Sequence, residues 1–259
     1  MASECRNPEC FYATVCPLRS GSASIEEGLH GLAVAEPEAP ALENFEIRPE
    51  DVGSIGVVRI YGKIEPWTLK LLERAEPLLD LSGLFILLDC PGGDSRTTRL
   101  IQLVILRLRR RMPVVAFGFT AMSGGFQVGL ACDLFFADGA SLLGCFGSCL
   151  HFCLDWLEPR FMTSRQSPKK CHVWPSTAPA QIEKAENVVV QQKILDELFE
   201  GNLAAVAMLR AIDPEPLRPY LDGRVIMSPK ALRLGLLDSV IDEELAYGRL
   251  LDLISKRRK

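Results

Sequence analysis

Several functional classes are excluded by what this sequence does not contain. No apolar run reaches the roughly 18 residues that a membrane-spanning helix needs. The first residues carry Glu4, Arg6 and Glu9 where a secretory leader would carry an apolar core. No charge of one sign dominates, since 29 Lys and Arg meet 33 Asp and Glu for a net charge of −4. The basic clusters, Arg107, Arg109, Arg110 and Arg111 and the terminal Lys256, Arg257, Arg258 and Lys259, have no interleaved aromatics. They read as a solvated helix face and a chain end, not as a nucleic-acid stripe. Cysteine is present, but its number, 9, is odd, and Cys90, Cys132, Cys145, Cys149 and Cys153 sit in apolar stretches where a thiol packs as a small hydrophobe. A disulfide framework is therefore not expected, and the setting expected is reducing and cytoplasmic. Cys5 and Cys10 only reach the wide limit of zinc-knuckle spacing, C-x₄-C, and Cys16 with His30 as a fourth ligand supplies no second pair at such spacing. They read as incidental thiols in a leader, and neither a metal nor a cofactor is expected.

What is present is a soluble globular composition, 48% apolar and 24% charged over 259 residues. Residues 1–50 read as a flexible extension, with a Gly/Ser-rich piece at 20–24 and a Pro-Glu-Ala piece at 36–41. Residues 51–259 read as one α/β domain. Ile55 to Ile60 predicts a strand, and Pro66 opens a helix with Leu69, Leu72 and Leu79 at helical spacing. Leu84 to Asp89 is continuously apolar, as in a strand covered on both faces. Thr97 to Arg110 predicts a helix resting on Leu100, Leu103, Val104 and Leu106. A strand at 113–118, a small-residue helix at 124–132 and a strand at 134–137 follow, the last closed by Asp138-Gly139. This rhythm predicts parallel βαβ units. Residues 158–179 read as loop or insertion, 180–211 as a long amphipathic helix, and 223–241 as a short strand–helix–strand unit before a terminal helix. There is no internal repeat.

Two turns and one strand carry groups that could do chemistry. Pro91-Gly92-Gly93 directly follows a predicted buried strand, and glycines there let backbone N–H groups face outward toward a developing oxyanion. The plain alternative is a tight β–α turn. Ser123-Gly124-Gly125 lies where a strand ends and a helix begins. A serine there is commonly a helix cap. The flanking glycines and the positive end of the helix would equally suit a nucleophile. Asp133 precedes a strand in a small-residue context and reads as structural.

With Gly144-Cys145-Phe146-Gly147 added, the ordered set resembles a known family. Pro-Gly-Gly, a helix, Pro-Val-Val-Ala, Ser-Gly-Gly-Phe, Ala-Cys-Asp, Gly-x-x-Gly and then Gly223-Arg224-Val225 and Gly235-Leu236-Leu237-Asp238 are similar to the signal peptide peptidase A family of serine peptidases. The resemblance runs from about Ile55 to Ile241. It implies a crotonase/Clp-protease-like fold, stacked ββα units with a parallel sheet flanked by helices. It also implies Ser123 as nucleophile, an oxyanion hole from the N–H groups of Gly93 and Gly124, and a lysine as general base. A lysine desolvated beside the nucleophile loses its charge near neutral pH and can accept the hydroxyl proton. The stretch matching the family's base segment is 163–171, which offers Lys170 or Lys169, with Arg165 and Cys171 where the family has glycine and aspartate. The resemblance further implies a peptide or protein substrate and a homo-oligomer.

Alternatives stand beside this reading. His151 could serve as the base in place of a lysine, although on an apolar segment it reads more simply as a satisfied core residue; His172 has less claim. Leu130 to Ala137 resembles the Ala-Cys-Asp strand of crotonase-type acyl-CoA enzymes, but no pair of carboxylates accompanies Gly147. A non-catalytic interaction protein on the same fold is the third possibility, because a fold does not fix a function.

Overall fold

The computed structural model describes residues 44–75, 80–145, 149–155, 158–163, 172–173 and 185–258. Its centre is a seven-stranded sheet in the order β1-β2-β3-β4-β5-β10, with β9 also on β5. The strands are β1 (Phe45–Glu50), β2 (Gly53–Tyr61), β3 (Leu81–Cys90), β4 (Val114–Met122), β5 (Leu134–Gly144), β9 (Val225–Met227) and β10 (Ser239–Val240). From β2 to β5 every neighbour is parallel, and β10 joins parallel to the start of β5. Parallel neighbours need crossovers, and the first three are α1 (Pro66–Ala75), α2 (Ser95–Leu108) and α3 (Gly124–Leu130).

The central strands are apolar without interruption because both sheet faces are covered. Alternate residues divide between two cores. Val58, Ile60, Leu84, Ile86, Leu88, Val114 and Ala116 face the side on which α1, α2 and α3 pack. Ile55, Val57, Phe85, Leu87, Val115, Phe117 and Phe136 face the other side, against Ala246, Leu250 and Ile254 of the C-terminal helix α6 (Glu243–Arg257). α6 starts where Asp242 accepts the Leu245 N–H, an N-cap. The helices α4 (Ala185–Arg210) and α5 (Ser228–Arg233) complete the first side through Phe199, Leu203, Val206 and Ala231.

Five details differ from the sequence reading. First, β1 lies within residues assigned to the extension; it pairs antiparallel along β2 as an edge strand, a place that tolerates Pro49. Second, Leu100 and Leu103 of α2 face outward. The buried stripe is Thr97, Thr98, Ile101, Gln102, Val104, Ile105 and Leu108; of the residues expected to carry it, Val104 is buried and Leu106 half-buried. Third, Asp138-Gly139 does not end β5. The pairing steps from Gly118–Ala137 to Thr120–Leu142, so residues 138–141 bulge and the strand resumes. Asp138 stabilises the bulge by accepting the Ala140 N–H and the Ser141 hydroxyl. Fourth, residues 158–179 are not all loop: β7 (Glu158–Thr163) and β8 (His172–Val173) flank β6 (Cys149–Asp155) in a separate three-stranded sheet. Fifth, the last predicted strand shrinks to Ser239–Val240. Asp238 just before it accepts both the Phe135 N–H and the Arg210 guanidinium, at 2.7 and 2.8 Å, and so fixes the end of α4 to β5.

Candidate active site

The parallel pairing of β3 with β4 brings two loops side by side at the carboxyl ends of these strands, Cys90 lying opposite Ala121. Ligands of open α/β sheets bind at such ends. One loop is Pro91-Gly92-Gly93, and the other is the single residue Ser123 between β4 and α3.

The first loop is held from below and from the side. The Cys90 Sγ accepts the Gly92 N–H at 3.3 Å, and burial raises this thiol, so it stays protonated and neutral. The Gly92 carbonyl accepts the Ile64 N–H at 2.9 Å, and the Asp94 N–H donates to the Ile64 carbonyl at 2.8 Å. Gly93 thereby forms an isolated parallel bridge with Ile64. In such a bridge the neighbours make the bonds, and the bridged residue's own N–H points away from the partner chain. Gly93 is exposed. A side chain at Gly93 would run into the Ile64 carbonyl at 2.2 Å, so only glycine fits there. Asp94 then caps α2, accepting the Thr97 N–H at 2.6 Å.

The second loop is strained. Ser123 has φ 51° and ψ −117°, a conformation that L-residues seldom adopt. Its own N–H is tied to the Gly144 carbonyl at 2.7 Å, which anchors the turn to the end of β5. Its side chain makes no capping hydrogen bond to α3. An ordinary N-cap serine has extended dihedrals and caps through its oxygen. Ser123 departs from that role on both counts.

The two loops touch. A Cβ placed on Gly92 would lie 2.6 Å from the Ser123 Cβ, 3.0 Å from its Oγ and 3.1 Å from the Gly124 nitrogen. Gly92, at φ 104°, is thus a glycine for two reasons, conformation and clearance. Gly124 opens α3, so its N–H has no acceptor earlier in its own helix. Gly124 and Gly125 are glycines for packing: a Cβ on the first would meet the Thr98 Oγ1 at 2.5 Å, and on the second the Cys90 Cβ at 2.9 Å. The Gln102 side-chain amide donates to the Gln127 carbonyl at 3.0 Å and locks α2 to α3.

Of the residues expected at the site, Ser123, Gly93 and Gly124 come together. Lys169 and Lys170 lie outside the described residues, as do Cys5, Cys10 and Cys16. His151 lies on β6 and His172 on β8, where only the backbone is described. Asp133 is engaged away from these loops, accepting the Val114 N–H at 2.8 Å and the Arg109 Nε at 2.9 Å. The sequence reading missed Ile64, because no local pattern marks a partner for Gly93 so far back in the chain. It also missed the Cys90 thiol beneath the loop. Cys145 is a further participant: it follows the Gly144 that holds Ser123, has φ 52°, and donates its N–H to the Arg224 carbonyl at 2.7 Å.

Comparison with known proteins adds the following. No family model matches the chain. A Synechocystis sp. protein named as a protease is 24% identical over 199 residues, which are 73% of this chain and 70% of that protein. An Enterococcus faecium protein named as a signal peptide peptidase is 25% identical over 198 residues, covering 74% of this chain. The match takes in 55% of that relative, so the chain spans about half of its length. Among solved structures, a mutant of a membrane-bound stomatin-specific protease superposes with a TM-score of 0.52 at 16% identity, over 74% of this chain and 82% of that one. The crotonase/Clp-protease-like fold expected from the sequence is the fold observed, and the resemblance to the signal peptide peptidase A family is borne out by these relatives.

Proposed function

We propose that this chain, a relative of proteins named as a protease and as a signal peptide peptidase, is a serine peptidase with Ser123 as its nucleophile. The observation that carries the reading is the Ser123 backbone. A serine held at φ 51° and ψ −117°, outside the usual N-cap geometry, costs about 1–3 kcal/mol, and strain of this kind clusters at active sites. Nucleophiles on sharp strand-to-helix turns are held in this manner.

In the proposed reaction the Ser123 Oγ attacks the carbonyl carbon of a peptide bond. Its proton passes to a neutral lysine, Lys170 or Lys169, while the carbonyl electron pair moves onto oxygen. The N–H groups of Gly93 and Gly124 stabilise that oxyanion. The Gly93 N–H turned away from Ile64, and the Gly124 N–H at the head of α3, support this role. The lysine then gives its proton to the departing amine, leaving an acyl-Ser123 ester, which water hydrolyses by the reverse sequence. The substrate is a peptide or an unfolded protein segment.

The test is hydrolysis of a quenched fluorescent peptide library by wild type and by Ser123→Ala. The variant is expected to lose at least about a thousandfold in kcat while keeping its fold by circular dichroism. Turnover equal to wild type in Ser123→Ala would remove the proposal. Lys170→Ala and Lys169→Ala assign the base, the true one losing activity to a similar degree.

A further inference from the structure

From Ser95 to Cys132 the chain contains no acidic residue, while Arg96, Arg99, Arg107, Arg109, Arg110 and Arg111 all fall within it. The fold turns this bias into a surface. With its apolar stripe set against the core, α2 presents Arg96, Arg99, Leu100, Leu103 and Arg107 outward, all exposed. At 3.6 residues per turn these five share an arc of roughly 100°. Leu100 and Leu103, 39% and 43% exposed, lie between the arginines. Arg110 and Arg111 continue the face past the helix end, also exposed.

The far end of this face gains a second basic group. Arg257 at the end of α6 donates through Nη1 to the Arg109 carbonyl at 3.3 Å, and its Nη2 lies 3.8 Å from the Asp133 carboxylate. Arg257, exposed, thereby lies against the residue that precedes Arg110 and Arg111, from which the sequence separates it widely. Asp133, the acidic group at this junction, is already bonded to Arg109 and to the Val114 N–H. Cations at helix C-termini are ordinarily explained by the helix dipole. That account covers Arg107 and Lys256, but not Arg96 and Arg99, which sit at the opposite end of α2, nor the two leucines turned outward between Arg99 and Arg107.

We propose that this face docks the protein onto an anionic lipid bilayer. The arginines sit at the headgroup phosphates and Leu100 and Leu103 enter the acyl boundary, with α2 parallel to the surface. An amphipathic helix with basic and apolar residues on its outer arc is the chemistry of such interfacial binding. A second copy does not fit this face to face, because the same row of cations would meet itself. Nucleic acid does not fit either, since two central leucines have no partner on a phosphate backbone and no aromatic is present to stack on a base. The inference is independent of the peptidase reading.

The test is sedimentation of the full chain with vesicles of phosphatidylcholine alone and of phosphatidylcholine with about one-third phosphatidylglycerol. Binding is expected to the anionic vesicles only. It should fall as salt is raised toward about 1 M, where the screening length shrinks to about 3 Å. Arg99→Gln, Arg107→Gln and Arg110→Gln together should lower partitioning by about fivefold per arginine removed. Leu100→Ser with Leu103→Ser should weaken it while preserving the salt dependence. Lys193→Gln with Arg233→Gln, exposed cations elsewhere, should change nothing. Equal binding to neutral vesicles, unchanged binding in the arginine or the leucine variant, or tighter binding to a DNA duplex than to anionic vesicles would each overturn the proposal. The vesicle series on wild type decides even if a variant fails to fold.

Discussion

At Ser123 the backbone angles, the missing cap bond and the contact with Gly92 all bear on a single side chain, and substitutions there separate function from stability. Ser123→Gly relieves a conformation unfavourable to serine, offset in part by the greater freedom of glycine in the unfolded chain. The expected outcome is a protein about 1 kcal/mol more stable in urea titration and without peptidase activity, the exchange typical of strained functional positions. A destabilised Ser123→Gly would instead mark the serine as structural. Gly92→Ala works in the opposite sense. It sets a Cβ at φ 104° and 2.6 Å from the Ser123 Cβ, so it should cost about 1–2 kcal/mol and also abolish turnover, read from the same titration and the same peptide assay. At this scale the sequence was legible where a motif names a residue, as in Pro91-Gly92-Gly93 and Ser123-Gly124-Gly125. It was silent on positive φ at Ser123 and Cys145, because a serine or cysteine carries no mark of its backbone angle.

Among elements, the strands of the central sheet were the most legible, since burial on both faces leaves a continuous apolar run such as Leu84–Leu88. The two faces of α2 were less so: Thr97, Thr98 and Gln102 take places in its buried stripe while Leu100 and Leu103 turn out, an exchange that hydropathy does not signal and only packing decides. The edge strand β1 was hidden in polar sequence, because an edge need bury little. It nevertheless pairs with β2 from Phe45–Val58 to Glu50–Gly53, and Glu50 accepts the Tyr247 hydroxyl of α6 at 2.9 Å. A chain beginning at Asp51 loses this pairing and that tie. It should melt at least roughly 5 °C below one beginning at Asn44 and aggregate more readily through the bared edge of β2. Equal melting temperatures would place the working boundary at Asp51 after all.

For the molecule as a whole, the sheet with a core on each face was foreseeable from the alternation of apolar strands and helices. The small sheet of β6, β7 and β8 was not, since its strands lie in sequence with no clear alternation. Stability of the whole also carries a sign that the buried thiols set. Burial raises Cys90 and Cys132 above the ordinary thiol value of 9.0, strongly so for Cys132. Above about pH 9 the unfolded chain loses these protons while the folded protein keeps them. The unfolded state then binds fewer protons, and stability falls as pH rises, by up to about 1.4 kcal/mol per pH unit for each thiol. Urea midpoints should therefore drop between about pH 8 and pH 10, and Cys132→Ala should show a shallower fall than wild type. An equal slope in that variant would remove Cys132 from the account. No helix among the described residues is long and apolar enough to cross a membrane, so the lipid contact proposed for α2 is a surface one.

The central claim is that one hydroxyl is a nucleophile, and labelling with a fluorophosphonate across about pH 7 to 10 tests it most directly, with the adduct located by mass spectrometry. The account predicts a single adduct on the peptide that contains Ser123, rising as the basic partner loses its proton and absent in Ser123→Ala. A protein that stays unlabelled throughout that range, or one that labels equally well after Ser123→Ala, would contradict it.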